Sequence, residues 1–247
     1  MGSPGDSVLK AYFACGETYE KPKNSYILKR LARSLPMDDK HDAGDELRDR
    51  VLDAVLFNVA FDGWGPAGVR AAVRDGSITA EDAAVAFPGG AVEMIAYHSA
   101  RADRRLVEEL ERRNIAGLKI RERIPLGVRV RLEQNAAHRE AVRRALTILA
   151  LPIHAPLAAQ LLYRTVDAIW YAAGDRSADF SFYTKRATLA AVYSSTVLYW
   201  LNDRSDGMSA TWAFLDRRIE DVMRFERLKT QVRDFGARWR PGPGPAR

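Results

Sequence analysis

The stretch Asp45-Glu-Leu-Arg-Asp-Arg-Val-Leu-Asp-Ala-Val-Leu-Phe-Asn-Val-Ala-Phe-Asp62 sets the fold class. Leu52, Val55, Leu56 and Val59 recur at i, i+3, i+4 and i+7, the period of one helix face, and Gly63 stops that helix at its C-terminal side. Two short helical segments follow, Gly65 to Arg74 and Thr79 to Phe87, and then a long charged one, Gly90 to Asn114. The same arithmetic runs on through Lys119 to Asn135 and through His138 to Ala150, which leads into a break at Pro152 and Pro156. Beyond it come the nearly all-apolar Pro156 to Ala173, a face of Leu189, Val192, Tyr193, Thr196, Tyr199 and Trp200, and another of Trp212, Leu215, Ile219, Val222 and Met223. No segment alternates apolar and polar residues between hairpin turns, so the expected fold is all-α with nine or ten helices.

The rest of the sequence fits one large globular chain. Its 247 residues are 47% hydrophobic and 28% charged, enough for a sizeable core without staples. A single cysteine, Cys15, allows no internal disulfide, and His41, His98, His138 and His154 are scattered without metal-ligand spacing. The most apolar stretch, Ala145 to Tyr163, is interrupted by Pro152, His154 and Pro156 and does not supply the roughly 20 apolar residues of a membrane span. Met1-Gly-Ser-Pro-Gly-Asp6 lacks a basic region followed by an apolar one, so the expected location is the cytoplasm. Residues 1–44 mix Gly, Pro, Lys and Asp and read as a partly flexible extension with room for one docking helix.

Signals that look chemical dissolve on inspection. Gly63-Trp-Gly-Pro-Ala-Gly68 matches a dinucleotide loop in letters, but a helix precedes it, and Pro66 sits where a backbone donor is wanted; the reading is a helix-to-helix turn. Asp38, Asp39, Asp42, Asp45, Glu46 and Asp49 lack calcium-loop spacing. No Glu-x-x-His pair exists, and no Ser-His-Asp or Cys-His set can be assembled. Neither an enzyme nor a bound cofactor or metal is expected. The three opening helices and the long fourth have the layout of the helix-turn-helix end of TetR-type regulators, whose third helix enters the major groove. Here that helix carries Glu81 and Asp82 and no Lys or Arg, so it is repelled by phosphate and no nucleic-acid partner is expected. A TetR-type regulator sensing a lipid is the rival reading.

Thr165-Val-Asp-Ala-Ile-Trp-Tyr-Ala-Ala-Gly-Asp-Arg-Ser-Ala-Asp-Phe180, continuing through Ser181-Phe-Tyr-Thr-Lys-Arg186 to Tyr193, resembles the Coq-nine family of ubiquinone-biosynthesis accessory proteins. The likeness extends to Leu201-Asn-Asp203-Arg-Ser205, to Thr211-Trp-Ala-Phe-Leu-Asp-Arg-Arg-Ile219, and back to Asp62-Gly-Trp64 and Phe87-Pro-Gly-Gly90. It implies a TetR-like fold that has lost DNA binding and a pocket for an isoprenoid, a quinone intermediate or a phospholipid. It also implies presentation of that ligand to a pathway hydroxylase such as the demethoxyubiquinone hydroxylase. The expected pocket lining is Leu157, Leu161, Leu162, Val166 and Ile169, with Leu146, Leu149 and Val192 opposite; the sequence itself does not separate a hollow core from a filled one. The family's partner patch maps onto Trp170, Asp179, Phe182, Tyr183 and Arg186. Trp, Tyr and Arg are the residue types that carry interface energy, and packing in the core is the alternative for each aromatic.

At the C-terminus, Phe225, Leu228, Val232, Phe235 and Trp239 form one apolar stripe, flanked by Arg227, Lys229 and Arg233. A basic helix of this kind lies at an anionic membrane surface, or docks on its own bundle or on a second copy in a homodimer. The net charge of +6 gathers here, with nine Arg or Lys against four Asp or Glu from Arg217 to Arg247. The expected division is an extension (1–44), a degenerate helix-turn-helix part with its fourth helix (45–114) and a lipid- and partner-binding part (115–223). An amphipathic helix peripheral to the cytoplasmic membrane (224–240) and a tail (241–247) complete it.

Overall fold

The structure, a computed structural model, describes residues 43–175 and 180–238, without the side chains of 43, 180, 181 and 225–238. The expected extension falls almost wholly outside the described residues, as do Asp179, Trp239 and the tail. Among the described residues there are nine α-helices and no strand: α1 (Ala43–Asp62), α2 (Pro66–Arg74), α3 (Ala80–Ala86), α4 (Gly90–Arg112), α5 (Ile120–Glu133), α6 (Arg139–Leu149), α7 (Ala155–Ala172), α8 (Phe180–Asn202) and α9 (Ser209–Arg238).

The opening stretch forms α1 as its period dictates. Val51, Leu52, Val55, Leu56 and Val59 are buried together, and Asp45 and Glu46 lie in the first turn, where carboxylates suit the helix dipole. Gly63 closes α1 at φ +77, its amide bonded to the Val59 carbonyl at 3.0 Å, a left-handed cap that glycine adopts without strain. The Gly-rich letters that follow make a tight turn. Trp64 is 1% exposed and donates its indole N–H to the Ala141 carbonyl at 2.8 Å. A Cβ on Gly68 would lie 2.2 Å from the Gly63 carbonyl oxygen, so only glycine lets α2 start this close to the end of α1. In α3, Thr79 is the cap: its hydroxyl accepts from the Asp82 amide at 3.0 Å, and the Asp82 carboxylate accepts from the Thr79 amide at 3.2 Å.

Two cores result. The first joins the apolar faces of α1, α2 and α3 to Met94 and Ile95 of α4 and to Ala141 and Ala145 of α6. The second joins Leu106 and Leu110 of α4, Ile124 and Val128 of α5, Val166 and Ile169 of α7, Leu189 and Trp200 of α8, and Leu215 of α9. The long α4 packs along α7 and belongs to both cores. Arg101 of α4 fastens it to α1, its buried guanidinium 3.3 Å from Asp49 and 2.6 Å from Asp53; removing either carboxylate would leave part of a buried charge unmatched.

The break expected at Pro152 and Pro156 falls between Leu149 and Pro152, where the chain bends by 99°; a 3-10 turn, Pro152–His154, then leads into α7, and Pro156 sits in the first turn of that helix. Among the described residues no single helix is long and apolar enough to cross a membrane. The junction from α8 to α9 is held by one carboxylate. Asp203 accepts from the amide and hydroxyl of Ser205, at 2.8 and 2.6 Å, and from the amide and hydroxyl of Thr211, at 2.8 and 2.5 Å. Burial pushes the Asp203 carboxyl up, but these four bonds outweigh it and hold the group well below the usual carboxylate range.

One boundary differs from expectation. The sequence pattern predicts separate helices over 212–223 and 224–240; α9 is one helix of 30 residues, Ser209–Arg238, that continues from the first stretch into the second. No Gly or Pro stands between Ser209 and Phe235, so nothing interrupts the backbone ladder where one apolar stripe gives way to another.

Candidate functional site

Where the two cores meet, they leave a cavity of about 480 Å³, inside the usual range for small-molecule pockets. Its walls come from α4, α5, α6, α7 and α8. Most of the lining is apolar: Ile95 from α4, Leu132 from α5, Leu146 and Leu149 from α6, Leu161 and Leu162 from α7, Val197 and Trp200 from α8. Ala150, Ala159 and the 60%-exposed Leu198 form the solvent-facing rim. At the buried end lie His98, Arg131, Asn135 and Thr165, each 9% exposed or less.

The polar end is largely self-satisfied. Arg131 Nε donates to Asp103 at 2.9 Å, and the Thr165 hydroxyl donates to the same carboxylate at 2.9 Å. Burial pushes the Asp103 carboxyl up, against the opposing pull of Arg131 and Thr165. The Asn135 amide donates to the Arg131 carbonyl at 2.9 Å. His98 is less well served: neither ring nitrogen makes a hydrogen bond of ordinary geometry, and the Asn135 side chain interacts with the ring weakly, offsetting only part of the effect of burial. Its ring packs 5.6 Å from Trp64, and burial, reinforced by Arg131 and Arg101, pushes the imidazole down to about 3. The ring is therefore neutral at physiological pH, one nitrogen a donor and the other an acceptor.

A second cluster lies where α7 ends and α8 begins. Arg186 is 7% exposed; its Nε donates to Asp167 at 2.7 Å, and its Nη1 lies 3.5 Å from Asp175, which Lys185 also meets at 3.0 Å. The guanidinium carbon sits 3.3 Å from the centre of the Phe182 ring, and Tyr183 packs edge-on against that ring at 5.2 Å. Trp170 is partly buried beneath the Lys185 ammonium at 5.6 Å. Tyr171 and Tyr183 are 65% and 64% exposed.

Comparison with known proteins bears on both features. The family model described as COQ9 matches residues 155–226. The chain is 34% identical over 206 residues to the mitochondrial ubiquinone biosynthesis protein COQ9 of Drosophila melanogaster, and 31% identical to that of Homo sapiens. Those alignments take in 80% and 81% of this chain and 62% and 64% of the relatives, so it spans somewhat under two thirds of their length. With COQ9-B of Xenopus laevis, 31% identity covers 80% of this chain and 70% of that protein. The chain belongs to the COQ9 family. Its fold is also that of the TetR transcriptional regulator from Nitrosomonas europaea ATCC 19718, with a TM-score of 0.60 at 24% identity over 71% of this chain and 97% of that one.

The COQ9 match takes in α7, α8 and the start of α9; α7 and α8 supply two of the five helices that wall the cavity and all of the aromatic cluster. Of the residues assigned to a pocket from the sequence, Leu146, Leu149, Leu161 and Leu162 line the cavity. The other four do not. Leu157 packs against the first core, and Val166, Ile169 and Val192 are buried in the second. On α7 the reason is position along the axis, not angle: Val166 and Ile169 fall within the arc spanned by Ala159, Leu161, Leu162 and Thr165 but lie further along the helix, beside the filled second core. Of the patch residues, Tyr183 is open to solvent and Phe182 and Trp170 are partly covered, while Arg186 is interior and holds two carboxylates. Among the proposed membrane residues, Phe225, Arg227, Leu228, Lys229, Val232, Arg233 and Phe235 lie on the backbone of α9, their side chains outside the described set.

The polar end of the cavity escaped the sequence reading, because His98, Arg131 and Asn135 lie on helices that look charged throughout. A signal was present. His98 follows Ile95 by three and precedes Ala102 by four, and Arg131 and Asn135 continue the line of Ile124 and Val128 at i+3 or i+4, so each sits on a buried face.

Proposed function

We propose that this chain is a lipid-binding accessory protein of ubiquinone biosynthesis. It takes up an isoprenoid or quinone intermediate at the membrane surface and hands it to a pathway hydroxylase, such as the demethoxyubiquinone hydroxylase, with no catalytic step of its own. The observation that carries this reading is the cavity between the two cores. It is walled by aliphatic side chains, opens between apolar rim residues and is built partly from the segment shared with the COQ9 family. Membership in a family whose relatives are ubiquinone biosynthesis proteins supplies the pathway.

The exposed Tyr171 and Tyr183, backed by the Arg186 cluster, are the proposed hydroxylase-facing surface. The C-terminal part of α9, with its basic residues and its Phe-Leu-Val stripe, is the proposed contact with the cytoplasmic membrane. Mass spectrometry of solvent extracts from the purified chain tests the central point. An isoprenoid, quinone or phospholipid at near-stoichiometric amount is expected; its absence in protein purified without detergent rejects the reading.

The TetR-like fold favours one rival, a transcriptional regulator that senses a lipid. The helix that would enter the groove, α3, has seven residues and carries Glu81 and Asp82 without a cation. A regulator would retard duplex DNA at low salt, and unchanged mobility is expected here.

A further inference from the structure

The cavity is polar at the wrong end for a lipid held by its headgroup at the surface. Its rim is made of Ala150, Ala159 and Leu198, with Leu151 and Ile153 beside it, 53% and 80% exposed. The hydrogen-bonding groups are at the opposite, buried end. There the charges cancel, because Arg131 is spent on Asp103 and the remaining groups are neutral. A phosphate or carboxylate brought to that end would meet no free cation among the lining residues, and burying it uncompensated is costly. Of the lining residues, His98 has both ring nitrogens without a hydrogen bond of ordinary geometry, on a ring that is nine-tenths buried, and Tyr193, which carries a hydroxyl, lines the same cavity. An unsatisfied buried polar group of this kind asks for a partner.

We propose that the cavity takes its ligand head inward: a neutral ring oxygen, phenol or quinone, hydrogen-bonds to His98 at the buried end, and the attached chain leaves through the apolar rim. His98 is then the residue that sets head-group specificity. A neutral imidazole donates to a quinone carbonyl, and both donates to and accepts from a phenol hydroxyl. A volume of about 480 Å³ holds a substituted ring and a short run of chain, not a whole long-chain isoprenoid, so the far end of the chain trails outward past Leu198. The head-group ring is shielded while it is held, and delivery to a partner becomes a release step. This inference rests on the reading of the cavity as a lipid site.

Titration calorimetry on the full-length chain, stripped of co-purifying lipid, tests it with two probes, 4-octylphenol and octylbenzene. Wild type is expected to prefer the phenol by about tenfold, the scale of one buried hydrogen bond. His98→Leu should erase the preference while keeping the affinity for octylbenzene, and His98→Gln, which retains a donor and an acceptor, should keep part of it. Equal affinity of wild type for both probes, or a preference that survives in His98→Leu, overturns the inference and leaves the lipid cavity standing. Failure of both probes to bind wild type removes the cavity reading and the inference together. If His98→Leu does not fold, orientation is read on wild type from 4-octylphenol carrying a bulky substituent. Tolerance of that group at the chain end and exclusion at the ring support the inward head, and the reverse overturns it.

Discussion

At the scale of single residues, His98 links the cavity to acid stability. It stays neutral in the folded chain down to about pH 3, whereas an imidazole in an unfolded chain takes its proton near pH 6.5. Between those values the unfolded state binds the extra proton, so stability falls as pH drops from about 6.5 towards 3. His98→Leu is expected to remove about 2 kcal/mol of the loss that wild type shows between pH 7 and pH 5, as read from urea unfolding at the two pH values. His138, whose pKa is also lowered by burial, leaves a residual slope of the same sign. The aromatic cluster separates by the same kind of accounting. Arg186→Ala strips a buried cation from Asp167 and Asp175 and should cost about 3 kcal/mol in folding. Tyr183→Ala, on an exposed ring, should leave stability within about 0.5 kcal/mol and weaken capture of the hydroxylase several-fold.

At the scale of elements, the turn between α1 and α2 shows how a motif can mislead in letters and still be decisive in space. Gly68→Ala forces a Cβ against the Gly63 carbonyl and should cost about 3 kcal/mol, within the range for overpacking a tight site. A lowered thermal midpoint is the readout, and an unchanged one would mean that α2 moves freely. The continuous α9 carries a prediction of its own. Truncation after Glu226 should abolish sedimentation with anionic liposomes, because the residues removed include Arg227, Lys229, Arg233, Leu228, Val232 and Phe235 of that helix.

Helix periods, Gly63 and the proline break were legible in the sequence because each is a local property of the backbone. The unbroken α9 was not, since two stripes at different angles on one helix look like two helices. The split of α7 between core and cavity was hidden for a related reason: an apolar face records burial, and the wall of a pocket is buried too. Arg131 and Asp103, 28 positions apart, became a pair only when α5 folded beside α4.

At the scale of the whole described structure, two cores share the axial helix α4, and the cavity occupies the seam between them. Access runs over the rim at Ala159, an exposed position on α7. Ala159→Trp should plug it, leaving the unfolding midpoint within about 0.5 kcal/mol of wild type while co-purified lipid disappears from the extract. Lipid retained by that variant would place the entrance elsewhere.

On the proposed function, the seam also makes a bound lipid a structural component. A molecule that fills it touches both cores and binds only the folded chain, which adds about 2.7 kcal/mol of stability at a hundredfold excess over Kd. Loaded copies should resist proteases and heat that degrade empty ones, so the steady amount of this protein in a cell would rise and fall with the supply of its lipid.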